Sequence, residues 1–356
     1  MTAEQLLEQI FFNSQEKSYS DIHLNTWNKP IIRDKNGDIT NLIWDYPIFT
    51  KEIITEIIKE LVWDMGLEKF FKKMELDSSY QYKNWNRYRI NCYIDTMWYN
   101  IALRLIPDKI PTLEQLWLWE QIMKMCQKSK WLILITWPTW SWKSTNLAAM
   151  IDYINTNFKK HIITIEDPVE FSFKSKKSLI NQREVWNHTK WFANAMRSSL
   201  REDPDIIMVW EMRDLETIKT AITLAETWHL VFSTLHTNDS VQTIDRIVDV
   251  FPSNQQTQIR MQLSQSLIWV ISQRLVVRSD KEWKIAAREI MLATNAVRNL
   301  ILSWKTHQLY SVLEVWQSDG MILMDKYLIG LYKKNIISKE TLKSFCRDKE
   351  AIEMMM

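Results

Sequence analysis

Residues 132–145, LILITWPTWSWKST, constrain this chain more than any other stretch. Leu132, Ile133, Leu134 and Ile135, with Thr136 after them, form a near-continuous apolar run, the pattern of a strand buried on both faces. A short turn follows, then Lys143, Ser144 and Thr145. Residues Asn146–Asn155 then have helix-forming composition and an apolar stripe at Leu147, Met150, Ile151 and Ile154. A buried strand that passes through a turn into a helix opening on Lys-Ser makes an anion site. The first amides of the helix are unpaired, and its dipole places partial positive charge beside the lysine.

That layout is the phosphate loop called Walker A, whose written form is G-x-x-x-x-G-K-[ST]. Here both glycines of the form are tryptophan, Trp137 and Trp142, with Pro138, Thr139, Trp140 and Ser141 between them. Such a loop wraps a phosphate with backbone N–H groups, which needs residues without a Cβ where the chain takes φ > 0 or touches the ligand. Composition explains the conflict. The chain holds 19 Trp and 4 Gly, which pooled come to about the ~7% glycine of ordinary proteins. Tryptophan also stands where turns call for glycine, as in Thr227-Trp228-His229 and Asn84-Trp85-Asn86. We read many of these tryptophans as glycine positions, the outcome of UGA codons decoded as Gly in the organism and as Trp here. A Trp-rich protein taken literally is the alternative.

At 356 residues the chain is long enough for two domains with sizeable cores. A formal net charge of +2 gives no electrostatic case for nucleic acid. Cys92, Cys126 and Cys346 are widely spaced and make no C-x-x-C pair, which argues for a reducing compartment without a structural zinc site. No run of about 18 apolar residues occurs, and MTAEQLLEQI lacks the basic start of a signal peptide. The expectation is a cytoplasmic protein that meets any membrane through partners.

Along the chain, residues 2–12 read as an amphipathic helix with Leu6, Leu7, Ile10 and Phe11 on one side. Ser20–Leu24 reads as a strand, and Ile31–Ile39 as a hairpin turning at Asn36-Gly37. Helices over Lys51–Asp64 and Leu67–Lys73 precede strands at Tyr80–Tyr82, Tyr88–Ile94 and Ala102–Ile106, with Arg87 and Arg89 on one face. Pro107–Pro111 marks a boundary, so the first domain is α+β over 1–107, residues 108–118 are a linker, and 119–356 form the second domain. There strands and helices alternate, implying α/β architecture with a mainly parallel sheet. After the loop helix come a strand at His161–Ile165, a helix at Phe192–Leu200, and the acid-bounded strand Asp205–Glu211. A helix at Leu215–Glu226 and a strand at Leu230–Leu235 follow. Helices at Ser240–Val250 and Gln255–Trp269, strands near Ser272–Val277 and Trp283–Ile290, and a helical tail from Ala296 complete the pattern.

In such a site Lys143 neutralises β- and γ-phosphate oxygens, and Ser144 places its hydroxyl on Mg²⁺. Glu211, ending an apolar strand, is suited to orient or deprotonate the attacking water, or to hold Mg²⁺ through water. Ligands of open α/β sheets sit at the carboxyl ends of the strands, so Glu166, Glu211 and His236 can converge there. Spacing alone does not lift either His229 or His236 above an ordinary structural histidine. Arg87, Arg89 and Arg104 lie in the other domain and reach a γ-phosphate only across a domain or subunit boundary; surface charge on a sheet is their plainer reading.

With Trp read as Gly, residues 137–145 become GPTGSGKST, and the chain resembles the type II/IV secretion ATPases, most closely the branch that retracts pili in twitching motility. The resemblance rests on Tyr19–Leu24, on ITIEDPVEF (Ile163–Phe171), and on RSSLREDPDIIMVWEMRDLET (Arg197–Thr217). It also rests on ETWHLVFSTLHTNDS (Glu226–Ser240) and NAVRNLI (Asn295–Ile301). It implies a PAS-like N-terminal domain, a RecA-like P-loop ATPase core, ATP and Mg²⁺ as ligands, and a homohexameric ring. It implies too a partnership with an inner-membrane pilus platform protein and the pilin machinery, at the cytoplasmic face of the membrane and with no direct role for nucleic acid. By the same resemblance Trp137–Thr145 is the nucleotide loop, Ser144 and Glu211 serve the metal, and Glu166 belongs to the Asp box. Glu211 is the Walker B glutamate, His229 and His236 form the His box, and Arg89 and Arg104 sense phosphate in trans. The departures are Trp137, Trp140, Trp142, Trp186, Trp191, Trp210 and Trp228. If they are literal, a non-hydrolysing structural ring subunit is the alternative. An extension or secretion ATPase is a nearer one, though such relatives usually add an N-terminal domain and a four-cysteine zinc module. A RecA-like nucleic-acid motor is disfavoured by the near-neutral charge.

Overall fold

The computed structural model describes the chain apart from residues 1, 18–20, 34–37, 42–45, 83–86, 107–109, 117–118, 137–142, 281–283, 317–319 and 350–356. Of residues 14–17, 65, 119–121, 143 and 144 it describes the backbone alone. Two compact units are present. The first comprises residues 1–110 with 165–174 and 182–195, and the second comprises 111–164, 175–181 and 196–356. That residues 165–174 and 182–195 group with the first unit is not visible in a boundary drawn from composition.

The first unit contains α1 (Ala3–Lys17), β1 (Asp21–Asn25), β2 (Ile31–Arg33), β3 (Ile39–Asn41), α2 (Lys51–Leu61), α3 (Asp64–Lys73), β4 (Glu75–Gln81), β5 (Arg87–Ile94) and β6 (Tyr99–Ile106). Its strands form a sheet in the order β3-β2-β1-β6-β5-β4, antiparallel at every junction. Helix α1 forms for the reason its pattern gives. Leu6, Leu7, Ile10 and Phe11 are each at most 1% exposed, and each such burial contributes about 1.5–3 kcal/mol before conformational costs. Phe11 stacks on Tyr88 of β5 at 4.4 Å. Thr50 caps α2 by accepting the Ile53 amide, and Ile54, Ile57, Ile58 and Leu61 face the core. The hairpin expected over Ile31–Ile39 is the β2–β3 pair, with Arg33 opposite Ile39; its Asn36-Gly37 turn lies outside the described residues.

The rest of the chain runs α4 (Trp119–Cys126), β7 (Trp131–Thr136), α5 (Lys143–Asn157), β8 (His161–Glu166), β9 (Leu179–Glu184), α6 (Phe192–Ser199), β10 (Ile206–Val209), α7 (Leu215–Glu226) and β11 (Leu230–Leu235). It continues with α8 (Ser240–Asp249), α9 (Ser253–Ser266), β12 (Leu267–Val277), β13 (Lys284–Leu292), α10 (Asn295–Leu302), a 3₁₀ turn, α11 (Leu309–Val315), α12 (Met324–Lys333) and α13 (Lys339–Phe345). The seven-stranded sheet has the order β13-β12-β7-β11-β10-β8-β9. Strand β7 lies between β12 and β11 and is parallel to both, which is why Leu132–Ile135 reads as an unbroken apolar run and is at most 1% exposed. The acid-bounded strand is shorter than expected, because Asp205 and Glu211 stand outside its ladder. Asp205 instead holds the Lys160 ammonium and the His161 amide, at 2.8 and 2.9 Å.

The helix expected over Gln255–Trp269 ends at Ser266. From Leu267 the chain pairs with β7, Leu267 against Leu132 and Ile271 against Ile135, and this burial overrides the continuing helical propensity. Strand β13 then returns antiparallel to β12. Helix α4 and strand β9 have no counterpart in the sequence expectations.

One backbone feature bears on the tryptophans. Among the described residues, eight that are not glycine have positive φ, and five of these are tryptophan: Trp27 (67°), Trp131 (106°), Trp186 (73°), Trp228 (70°) and Trp304 (58°). This region costs a residue with a Cβ about 1–2 kcal/mol and is glycine's ordinary place. Trp27, Trp228 and Trp304 are moreover 48%, 72% and 37% exposed, so little burial offsets that cost.

Candidate functional site

The carboxyl edge of the parallel strands brings together the start of α5, Glu211 and His236. Strand β7 ends at Thr136 opposite Leu235, the last residue of β11, so His236 leaves the sheet beside the end of β7. The loop itself, Trp137 to Trp142, lies outside the described residues. Helix α5 begins at Lys143, and its free first amides and positive dipole end open on that edge. Lys143 and Ser144 occupy its first turn, followed by Thr145.

Glu211 stands just past β10 and is 7% exposed. Its carboxylate is held from two sides, by Arg213 at 2.6 Å and by the His236 Nε2 at 3.0 Å. The connection is fixed locally: the Met212 amide donates to the Thr234 carbonyl, and the Thr234 hydroxyl donates to the Trp210 carbonyl. Arg213 and His236 together fix the orientation of this nearly buried carboxylate. Arg213 is absent from the sequence expectations, although its place two residues after an acid at a strand end is a signal for it.

His229 does not join this group. It precedes β11 at the opposite, amino end of the strand, some 20 Å of extended chain from His236. Its Nδ1 lies 3.1 Å from the Leu224 carbonyl and 3.2 Å from the Thr227 hydroxyl, at the end of α7. Within the chain it closes a helix.

A second set, unrecognised from sequence, supports the edge. The Thr136 and Ser272 hydroxyls are 2.8 Å apart, and the Thr243 hydroxyl lies 2.7 Å from Thr237 and 3.4 Å from Thr136. Asn146, in the first turn of α5, donates to the Gln273 side chain at 2.6 Å, and Arg288 Nε donates to the same oxygen at 3.1 Å. These contacts join strands β7, β12 and β13 to the phosphate-loop helix and to α8.

In the first unit, Glu166 is 2% exposed and accepts from Gln182 at 3.0 Å. Arg89 and Arg104 are directly opposed across β5 and β6. Like charges in that register repel, and each has an acidic neighbour: Arg89 lies 3.8 Å from both Asp77 and Glu170, and Arg104 lies 2.7 Å from Asp21. Both stay accessible. Arg87 does not share that freedom, since it pairs with the buried Glu184 at 3.3 Å.

A mainly parallel sheet whose carboxyl edge carries the start of a Lys-Ser helix, a hydroxyl cluster and a buried strand-end glutamate defines a RecA-like P-loop core. Comparison with known proteins is specific. The sequence profile of the type II/IV secretion system protein family matches residues 101–315. The chain is 43% identical to the type IV pilus retraction ATPase PilT of Pseudomonas aeruginosa, over 93% of this chain and 95% of that one. It is 42% identical to a twitching motility protein of Neisseria gonorrhoeae, over 91% and 86% of the two chains. Its fold superposes on the crystal structure of the pilus retraction motor PilT with bound ADP, with a TM-score of 0.88, 40% identity and full coverage of both chains. This chain belongs to the type II/IV secretion system protein family.

Proposed function

We infer that this chain is an ATP-hydrolysing motor that drives type IV pilus retraction. It works as a homohexameric ring at the inner face of the cytoplasmic membrane and draws on a membrane platform protein to dismantle pilin. The observation that carries this reading is Glu211, buried at the carboxyl edge between Arg213 and His236, on the same edge as the start of α5. Identity to the pilus retraction ATPase over nearly the whole chain supports it. Among the described residues no helix is long and apolar enough to cross a membrane, so membrane attachment falls to the partner.

Lys143 meets the β- and γ-phosphates, and the amides opening α5 complete their cradle. The donor set suits Mg²⁺, a hard cation that prefers oxygen: Ser144 offers a hydroxyl and Glu211 a carboxylate. When bound, the metal neutralises charge on the phosphate oxygens. Glu211 takes the proton of the attacking water, and His236 fixes the orientation of that carboxylate. Arg89 and Arg104, exposed and opposed across two strands, supply cations to a phosphate held by a neighbouring protomer; Glu166 serves in the Asp box.

All of this requires a bare backbone at the phosphate loop, so we take the native protein to carry glycine at the tryptophan positions. The five tryptophans at positive φ support that reading independently of the loop. The test is Mg²⁺-dependent ATP hydrolysis and sedimentation of the glycine form. Lys143→Ala or Glu211→Gln should lower kcat by at least roughly a hundredfold. Parent-level activity in both variants overturns the assignment.

A further inference from the structure

Strand β9 (Leu179–Glu184) belongs to no motif, yet it holds the whole acidic segment that follows β8. Residues two apart on a strand face the same side, and Gln182 and Glu184 use that spacing to make two grips. The Gln182 amide nitrogen donates to the Glu166 carboxylate at 3.0 Å and to the Phe171 carbonyl at 2.8 Å, while its oxygen accepts the Phe173 amide at 2.8 Å. All of its hydrogen-bonding sides thus serve one loop. Glu184, with 0% exposure, accepts the Val169 amide at 3.0 Å from the middle of that loop.

Glu184 is anchored in turn to the N-terminal sheet. It accepts the Ser79 amide at 3.1 Å and also binds the Ser79 hydroxyl, the Asn187 amide and the Arg87 guanidinium. Arg87 donates to the Ser79 hydroxyl as well, at 2.6 Å. A fully buried carboxylate with this many donors is held in one geometry. The loop bearing Glu166 is therefore fixed to the sheet that presents Arg89 on β5.

We propose that Gln182 is the positioning residue for Glu166 in ATP hydrolysis, and that Glu184 locks the loop on which Glu166 acts. The proposal rests on the motor reading above. On that reading Glu166 serves the hydrolysis, and Gln182 acts through it. The Gln182 donor fixes the direction of the Glu166 carboxylate, so its removal frees that side chain and the loop that carries it.

The experiment compares the glycine form with its Gln182→Leu and Gln182→Glu variants. Gln182→Leu should lower kcat roughly 10–100-fold and leave KM for ATP within about threefold. Gln182→Glu, which keeps the length of the side chain and loses its N–H donors, should lower kcat to a similar degree. A role in stability alone predicts a lower melting temperature with kcat and KM unchanged, and that outcome overturns the proposal. Hydrogen exchange over residues 167–173 is the readout that does not depend on catalysis. It should quicken in Gln182→Leu, and unchanged exchange overturns the grip on the loop whether or not the parent hydrolyses ATP. If exchange quickens while the parent proves inactive, the motor reading fails and the loop assignment stands.

Discussion

Trp228 offers the sharpest test of whether this backbone was built for glycine. It follows the Thr227 cap of α7 at φ 70°, the left-handed site just past a helix end where glycine is the usual residue. Its indole is 72% exposed, and its main return is the Lys130 ammonium, 3.9 Å from the ring centre, worth about 0.5–1 kcal/mol at such a site. Trp228→Gly and Trp228→Ala both lose that contact, so the difference between the two variants isolates the backbone. The left-handed conformation costs alanine about 1–2 kcal/mol, and glycine's greater freedom in the unfolded chain returns about 0.4–1 kcal/mol. The glycine variant should therefore be the more stable of the two by about 0.5–1 kcal/mol, or roughly 1–4 °C in melting temperature for a unit of this size. Thermal unfolding of the purified pair measures it, and the same ordering should hold at Trp27, Trp186 and Trp304. An alanine variant as stable as the glycine variant at these positions refutes the strain argument. A direct check is the mass of protein purified from source cells, which should be lower by an indolylmethyl side chain less one hydrogen for each recoded residue; a mass matching the printed tryptophans defeats the recoding itself.

Further outcomes follow from the same geometry. His236→Ala should lower kcat by roughly 10–100-fold with nucleotide affinity retained, whereas His229→Ala, at the far end of β11, should change melting more than kcat; steady-state kinetics and scanning calorimetry separate the two. Arg87→Ala strands the fully buried Glu184 without its cation and should cost about 3 kcal/mol, part of which Glu184→Gln in the same chain should restore, as a urea-melt double-mutant cycle would show. Burial pushes the Glu289 carboxyl above its usual 4.5, against the hydrogen bonds from Ser240 and Met324. A carboxyl whose folded pKa is raised favours the fold fully below 4.5 and loses that contribution as pH rises through the folded value. Glu289→Gln should therefore gain stability over the parent at pH 8, with the gap closing toward acid in melts across the range.

Much of the architecture was legible because burial writes itself into the letters. Leu132–Ile135 lies between two parallel neighbours and so has no polar face, and α1 shows one side of four apolar residues because only one side meets the core. The α9–β12 junction was not legible, since Leu267–Ile271 fits a buried helix as well as a buried strand until β7 supplies a ladder. Strand β9 escaped for a related reason. Its burial follows no clean alternation, because its inward residues are polar and bind a loop rather than packing on an apolar core.

The site divides along the same line. Lys143, Ser144, Glu211 and His236 could be picked out because each carries its chemistry in its own side chain and lies at the end of a readable element. Gln182, Arg213, Thr136 and Ser272 are ordinary residues whose meaning arises only from a partner: Gln182 lies 16 residues from Glu166, and Thr136 lies 136 from Ser272. The tryptophans are the converse case. As side chains they point away from function, yet the backbone beneath five of them keeps the conformation that glycine alone adopts without cost. The main chain at these positions thus specifies the residue more firmly than the letter does. The consequence can be tested directly: ATP binding should be recovered when Trp137, Trp140 and Trp142 are returned to glycine together. Restoring only one should leave an indole against the phosphates and recover little. Full nucleotide affinity with all three tryptophans retained would refute this.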